Sequence, residues 1–191
     1  MNIFYIDKCP HLAATQMVDR HVVKMILESA QLLSTAHRLL DGTAETITVN
    51  DKVRKIWRLP DDREFHCYKV THANHPCAKW ARGSAENYNW LSDHLMALLA
   101  EYTHRYGKVH KTRGMSSYIT SPPLNISNDS FTLPPTAMDV KYIISEDTME
   151  NYRNYYVLGK RHLHSWTRRN VPSWIHTFDN PKPSNVEQIS P

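Results

Sequence analysis

The sequence predicts a mainly α-helical protein, a compact single domain of about three long helices joined by long irregular connections. Apolar residues recur at helical spacing in three long stretches, and only five of the 191 residues are glycine. Four of the eleven prolines lie together between residues 108 and 144, which predicts a long connection at the surface there. We expect one domain over residues 1–178 and a loose, polar C-terminal tail over 179–191.

The first helix is predicted after a short extended segment, Asn2–Asp7. Pro10 suits the first turn of a helix, and the helical pattern runs to about Leu40, with a break near Thr15. The glycine of Asp41-Gly42 then ends the helix. Its predicted buried stripe consists of Val18, Val22, Met25, Ile26, Ser29, Leu33, Ala36 and Leu40.

Two further long helices are predicted. The second begins at Pro76, continues to about Tyr106 and is closed by a glycine, and the third runs from Glu146 to about Trp166. Residues 43–70 form a polar excursion for which we expect a short helix at Asp51–Trp57.

The composition is that of a soluble globular protein, with 41% hydrophobic and 22% charged residues. No apolar run approaches the length of a membrane span, and the first residues do not resemble a secretory signal. Three cysteines are too few for a disulfide scaffold. We therefore expect no membrane partner, a monomer, and a cytoplasmic location in a bacterial or virus-infected cell.

The net charge of +4 is unevenly distributed along the chain. Tyr102–Asn128 carries four basic residues and no acid, and Asn151–Phe178 carries five basic residues and no acid. These two acid-free segments contribute +9, whereas the other residues, 14 basic and 19 acidic, contribute −5. The segments either contact phosphates or are ordinary solvated faces.

A polar row lies opposite the apolar stripe of the first helix. It consists of His21, Lys24, Glu28, Gln31 and Thr35, which are three or four residues apart. This row is either a solvated surface with a Lys24–Glu28 ion pair, or the wall of a cleft. In the second case Glu28 is a positioned carboxylate and His21 a positioned imidazole.

Histidines and cysteines cluster between residues 66 and 77, which raises the hypothesis of a zinc-dependent nuclease or hydrolase. The candidate ligands are His66, Cys67, His72, His75 and Cys77. Their spacing matches no standard zinc module, and we expect no metal. Alternatively, His72, Asn74 and His75 precede a helix N-terminus, where backbone N–H groups suit a DNA phosphate.

The stretch Asp19–Glu28 resembles the first helix of the phage endonuclease V family, the pyrimidine dimer DNA glycosylases. It has Asp-x-His, two apolar residues, and a glutamate nine residues after the aspartate. Further fragments that resemble this family follow in the same order. They are His37–Gly42, Asn74-His75, Leu98–Gly107, Tyr155-Tyr156 and Gly159-Lys160.

The resemblance implies a DNA-repair glycosylase with abasic-site lyase activity, double-stranded DNA as partner, and no cofactor. The nucleophile it implies is the N-terminal α-amine, of Met1 or of Asn2 if Met1 is removed, with Glu28 as catalytic carboxylate and His21 beside it. Lys24 is an alternative amine. The expected DNA-binding residues are Gln31, His37, Arg38, Asn74, His75, Arg105, Lys108, Lys111, Arg113, Lys160, Arg161, Arg168 and Arg169.

Two departures from the family pattern concern the substrate. Leu27 and Gln31 stand where the family has arginines that help to bind DNA around the lesion. The same fold acting on a modified rather than a UV-damaged base is therefore an alternative, and a non-catalytic DNA-binding module is another.

Overall fold

A computed structural model describes residues 1–177, and the predicted tail over 179–191 lies outside these residues. The chain is mainly α-helical, as the sequence predicts, with one antiparallel hairpin. The α-helices are α1 (Pro10–Gln16), α2 (Asp19–Asp41), α3 (Arg63–His66), α4 (Pro76–Ala81), α5 (Ala85–Tyr106), α6 (Thr148–Gly159) and α7 (Trp174–Thr177). The strands are β1 (Thr43–Val49) and β2 (Lys52–Arg58), and short 3-10 helices span Lys111–Tyr118, Val140–Tyr142 and Arg161–Leu163.

The core forms where α2 packs against α5, with α1 on α5 and α4 on α2. The apolar stripe of α2 supplies much of it, because Val22, Met25, Ile26 and Leu33 are all fully buried. Gly107 ends α5 in the left-handed conformation that glycine adopts at little cost, with φ of 65°. None of the helices in the described part of the chain is long and apolar enough to cross a membrane.

Each of the three predicted long helices is shorter in the structure. The first divides at Met17-Val18, where the backbone is extended, and the Arg105 side chain binds the carbonyls of Thr15 and Met17 at 2.9 Å each. The second divides before Ser84, whose hydroxyl caps the N-terminus of α5. The third keeps only the twelve residues of α6.

The predicted short helix at Asp51–Trp57 is wrong, because this stretch belongs to a hairpin. Strand β1 pairs with β2 in continuous register from Thr43 opposite Arg58 to Val49 opposite Lys52. The turn residues Asn50 and Asp51 have φ of 50° and 59°. Two positive φ values in succession match the right-handed twist of paired strands, and Asn and Asp tolerate them better than most residues.

Candidate active site

The N-terminal segment is held in a tight turn against the body of the protein. The Asn2 side-chain oxygen accepts hydrogen bonds from the backbone N–H groups of Ile3 and Phe4 at 2.7 and 3.0 Å. Its side-chain nitrogen donates to the carbonyl of Ala137 at 2.8 Å. Phe4 has φ of 55°, a strained value for an aromatic residue. These contacts fix where the backbone nitrogen of Asn2 points.

That nitrogen points at Glu28. The N–H of Asn2 donates to Glu28 Oε2 at 3.1 Å, and Lys24 Nζ lies 3.1 Å from Glu28 Oε1. The Glu28 side chain is 14% exposed, whereas the Lys24 side chain is 60% exposed. One carboxylate on α2 therefore meets both the N-terminal segment and an accessible lysine, and it remains open to a ligand.

His75 lies beside this carboxylate at the start of α4. Its Nδ1 accepts a hydrogen bond from the N–H of Cys77 at 3.1 Å. Burial lowers the pKa of His75, the positive charge of the chain N-terminus lowers it further, and Glu28 opposes the shift. Two hydrogen bonds between Thr35 and Thr71 hold the preceding segment on α2. The tertiary fold thus brings together residues that are far apart in the sequence.

His21 is placed behind the N-terminal turn and does not face the solvent. It is 3% exposed, stacks on the Phe4 ring at 4.2 Å and shares a hydrogen bond of 2.6 Å with the Tyr156 hydroxyl. Burial, reinforced by the positive charges of Lys160 and Lys24, lowers the pKa of His21 to about 3. These contacts place His21 behind the N-terminal turn, and its catalytic role stays a prediction.

Each acid-free segment brings a lysine close to the N-terminal half of α2. Lys160 stands over the Tyr155 ring at 4.7 Å and is close enough to His21 to affect its pKa. Lys108 lines a shallow groove with Val23 of α2. Val23 and Lys24 also line the adjoining groove. Both lysines therefore lie near the N-terminal half of α2, where Asp19 and Arg20 also line the adjoining groove.

Three of the expected DNA-binding residues are buried, and this corrects their assignment. Arg38 and Arg105 are 1% and 2% exposed, and both guanidinium groups bind carboxylates and backbone carbonyls inside the protein. His37 is 2% exposed and bonds to the Tyr88 hydroxyl at 2.8 Å. A guanidinium or imidazole enclosed in this way has no free donor for a phosphate, so these side chains stabilise the fold.

The other expected DNA-binding residues lie at or near the surface. Arg169 pairs with Glu101 at 2.7 Å, and Arg168 donates to the carbonyl of His104 at 3.1 Å. No hydrogen bond or ion pair joins any of them to Glu28 within residues 1–177. The remaining exposed or half-exposed members are Gln31, Asn74, Lys111, Arg113 and Arg161.

The histidine and cysteine cluster does not converge on a point. His66 stacks on Tyr118 at 4.1 Å, and burial raises the pKa of the Cys77 thiol to about 12. Among the described residues no group of three or more His, Cys, Asp or Glu side chains is arranged to hold a metal ion. The zinc hypothesis therefore has no ligand set in this part of the chain.

Sequence reasoning missed the residues that support the N-terminal turn. Tyr156 was noted only as part of the Tyr155-Tyr156 fragment that resembles the family, and Phe4 was not singled out. The role of Ala137 could not be read from the sequence, because it acts through its backbone carbonyl, which any residue has, and it lies 135 residues away from Asn2.

The helical domain thus holds its N-terminal segment against the Glu28 carboxylate, with Lys24 beside that carboxylate. The family model for pyrimidine dimer DNA glycosylase matches residues 1–114, more than half of the chain. The chain belongs to this family and is accordingly a DNA glycosylase with DNA as its substrate. No curated protein and no solved structure matches the chain at a significant level.

Proposed function

We propose that this protein removes a damaged pyrimidine from duplex DNA and then cleaves the abasic site by β-elimination. The nucleophile is an amine of the N-terminal segment, and the catalytic carboxylate is Glu28. The observation that supports this most directly is the 3.1 Å hydrogen bond from the Asn2 nitrogen to Glu28 Oε2. It holds the start of the chain beside a carboxylate that is partly accessible to solvent.

The chemistry requires an amine and one carboxylate. The nitrogen lone pair attacks C1′ of the damaged nucleotide, the bond from C1′ to the base breaks, and the departing base takes the proton that the attacking nitrogen loses. The C1′–O4′ bond then breaks as O4′ takes a proton from solvent, and the Glu28 carboxylate stabilises the positive charge of the resulting protonated imine. Glu28 then accepts a proton from C2′, and the C3′–oxygen bond breaks to release the phosphate.

Three amines are candidates for the nucleophile. If Met1 is retained, its α-amine stands one residue before the nitrogen that meets Glu28, and if Met1 is removed, that nitrogen itself becomes the α-amine. Lys24 Nζ is also 3.1 Å from the carboxylate. Because α-amines have pKa values of roughly 7.7–8.0 against about 10.4 for lysine, a larger share of an α-amine is neutral near pH 7. The N-terminal amine is therefore the proposed nucleophile.

Borohydride trapping tests this mechanism, because a protein–DNA imine is reducible. We expect a covalent adduct with lesion-containing and abasic duplex, mapped by peptide analysis to Met1, or to Asn2 if Met1 is absent from the intact mass. Lys24→Gln should keep the adduct, whereas Glu28→Gln should lose base release. An adduct at Lys24 would reassign the nucleophile. Complete absence of adduct and of base release would point to a non-catalytic DNA-binding module.

A modified pyrimidine is a second candidate substrate. Leu27, which stands where the family has an arginine, is 39% exposed, and Val23 on the preceding turn of α2 is 41% exposed. An apolar flank of this kind suits contact with a base or a methyl group better than contact with phosphate. Base release from UV-irradiated duplex, compared with duplex containing a modified pyrimidine, distinguishes the two substrates.

A further inference from the structure

The β1–β2 hairpin has both of its faces in solvent. None of its fourteen strand residues is buried, and only Ile47, Ile56 and Trp57 are half-buried. An isolated two-stranded hairpin is at best marginally stable in water. The protein nevertheless holds this one in continuous register over seven residue pairs, which suggests that the hairpin is kept for a contact outside the chain.

The hairpin is also strongly basic on one strand. Strand β2 has four cations and no acid in seven residues. Arg58 is neutralised by Glu45 and Glu64. Lys52, Arg54 and Lys55 make no ion pair with any residue in 1–177, and all three are exposed. Three unpaired cations on an exposed arm favour a polyanionic partner.

These cations are presented on both sides of the arm. Side chains alternate between the faces of a strand, so Lys52 and Arg54 share one face while Lys55 lies on the other. Lys55 Nζ stands over the Trp57 ring at 5.3 Å. A two-stranded ribbon with cations on both faces can lie in a major groove, which is about 12 Å wide, and reach the phosphates on either side.

The base of the arm is fixed to the helix that carries Glu28. Buried Arg38 donates to the Trp57 carbonyl at 2.7 Å and to Glu64 Oε2 at 2.6 Å. Glu64 in turn accepts from the N–H of Leu59 at 3.0 Å. The direction of the hairpin relative to α2 is therefore set by buried hydrogen bonds rather than by a free linker.

The distances suit one duplex that contacts both places. Glu28 and Gly42, the residue just before β1, are fourteen residues apart, which is about 21 Å along an α-helix. The arm itself extends for about 23 Å. One turn of B-DNA is roughly 34 Å, so a duplex with its damaged nucleotide at Glu28 passes the hairpin within a turn.

We propose that the hairpin Thr43–Arg58 is a second DNA-binding element, which grips the duplex phosphates through Lys52, Arg54 and Lys55 at least about six base pairs from the damaged nucleotide. The proposal rests on DNA being the substrate, and it deepens the proposed function by adding a contact that carries no chemistry. The arm raises affinity for duplex of any sequence and orients the duplex toward Glu28.

The test is the triple variant Lys52→Gln/Arg54→Gln/Lys55→Gln in the full chain, with binding to a lesion-containing duplex of about 25 base pairs measured by fluorescence anisotropy across a salt series. Each phosphate contact contributes about 0.9 to the slope of log K against log salt, so the slope should fall by up to about 2.7. The charge-conserving variant Lys52→Arg/Arg54→Lys/Lys55→Arg should bind as the unaltered protein does. A duplex of about nine base pairs with a central lesion is too short to reach the arm, so on it the proteins should not differ.

Unchanged affinity and salt slope on the long duplex would overturn the proposal. An equal loss on the long and short duplexes would also overturn it, because the contact would then not depend on reaching the arm. Loss of a dimer in sedimentation, with DNA binding unchanged, would assign the hairpin to a second copy of the chain instead. Anisotropy measures DNA binding and does not require the imine to form, so this test is independent of the borohydride trapping experiment. The urea unfolding midpoint of the triple variant shows whether the variant is folded.

Discussion

Replacement of Arg38 by methionine should unfold the protein more easily and release the hairpin. The guanidinium makes five hydrogen bonds of 2.6–3.0 Å, to the Glu64 carboxylate and to the carbonyls of Tyr68, Trp57, Glu64 and Cys67. Burial alone would raise the pKa of the Glu64 carboxyl. The hydrogen bonds that it accepts from the N–H of Leu59, from Arg58 and from Arg38 outweigh this effect and lower the pKa to about 2. The substitution therefore leaves a carboxylate and several carbonyls short of a donor.

The magnitude follows from the loss of one member of a buried ion pair, which typically costs about 3–5 kcal/mol. Because Glu64 keeps Arg58 and its side chain is 15% exposed, we expect the lower end, about 3 kcal/mol. For a chain of this length that corresponds to a fall in Tm of about 6–12 °C. Urea unfolding followed by circular dichroism measures the free energy. Arg58→Met is the control, since its solvent-exposed pair should contribute much less than the buried one. An Arg38→Met variant no less stable than that control would refute the buried anchor.

Three further predictions follow from other contacts. Gly42→Ala should lower the free energy of unfolding in urea by about 1–3 kcal/mol, because a Cβ there would meet the backbone oxygen of Arg38. The control Gly114→Ala, which has open space around the new Cβ, should be neutral or slightly stabilising. Burial lowers the pKa values of His21, His37 and His94 to about 3, 4 and 4, so between pH 7 and 5 these side chains take up protons only in the unfolded state. The free energy of unfolding should therefore fall by about 2 kcal/mol for each histidine as the pH drops from 7 to 5. A urea midpoint that stays constant over this range would contradict the prediction. Phe4→Ala removes the ring that joins the N-terminal turn to His21, so it should slow base release in single-turnover assays more than it weakens DNA binding. Equal effects on base release and on DNA binding would contradict a positioning role.

The helical fold and the position of Glu28 were predictable, because both depend on short-range periodicity. The stripe of α2 and the polar row opposite it are set by residues three or four apart. The structure buries the stripe except for Leu40, and it leaves Lys24, Glu28 and Gln31 of the row accessible while burying His21 and Thr35. Helix ends were less predictable. The break at Met17-Val18 depends on Arg105, which is 88 residues away from the carbonyl that it binds.

The hairpin was missed although its sequence carried a signal. Thr, Ile and Val recur along β1, and Asn50-Asp51 suits a tight turn. The mixture of polar and apolar residues also allows a short helix, and only pairing between the two strands decides between them.

Charge could be counted from the sequence but not placed. The sequence by itself determined a helical domain, a carboxylate on its first long helix and two acid-free basic segments. Only the tertiary structure decided that Arg38 and Arg105 turn inward, that His21 supports the N-terminal turn, and that the Asn2 nitrogen meets Glu28. The physical reason is that periodicity acts over a few residues, whereas burial and pairing of a charge depend on which distant carbonyls and carboxylates the fold brings to it.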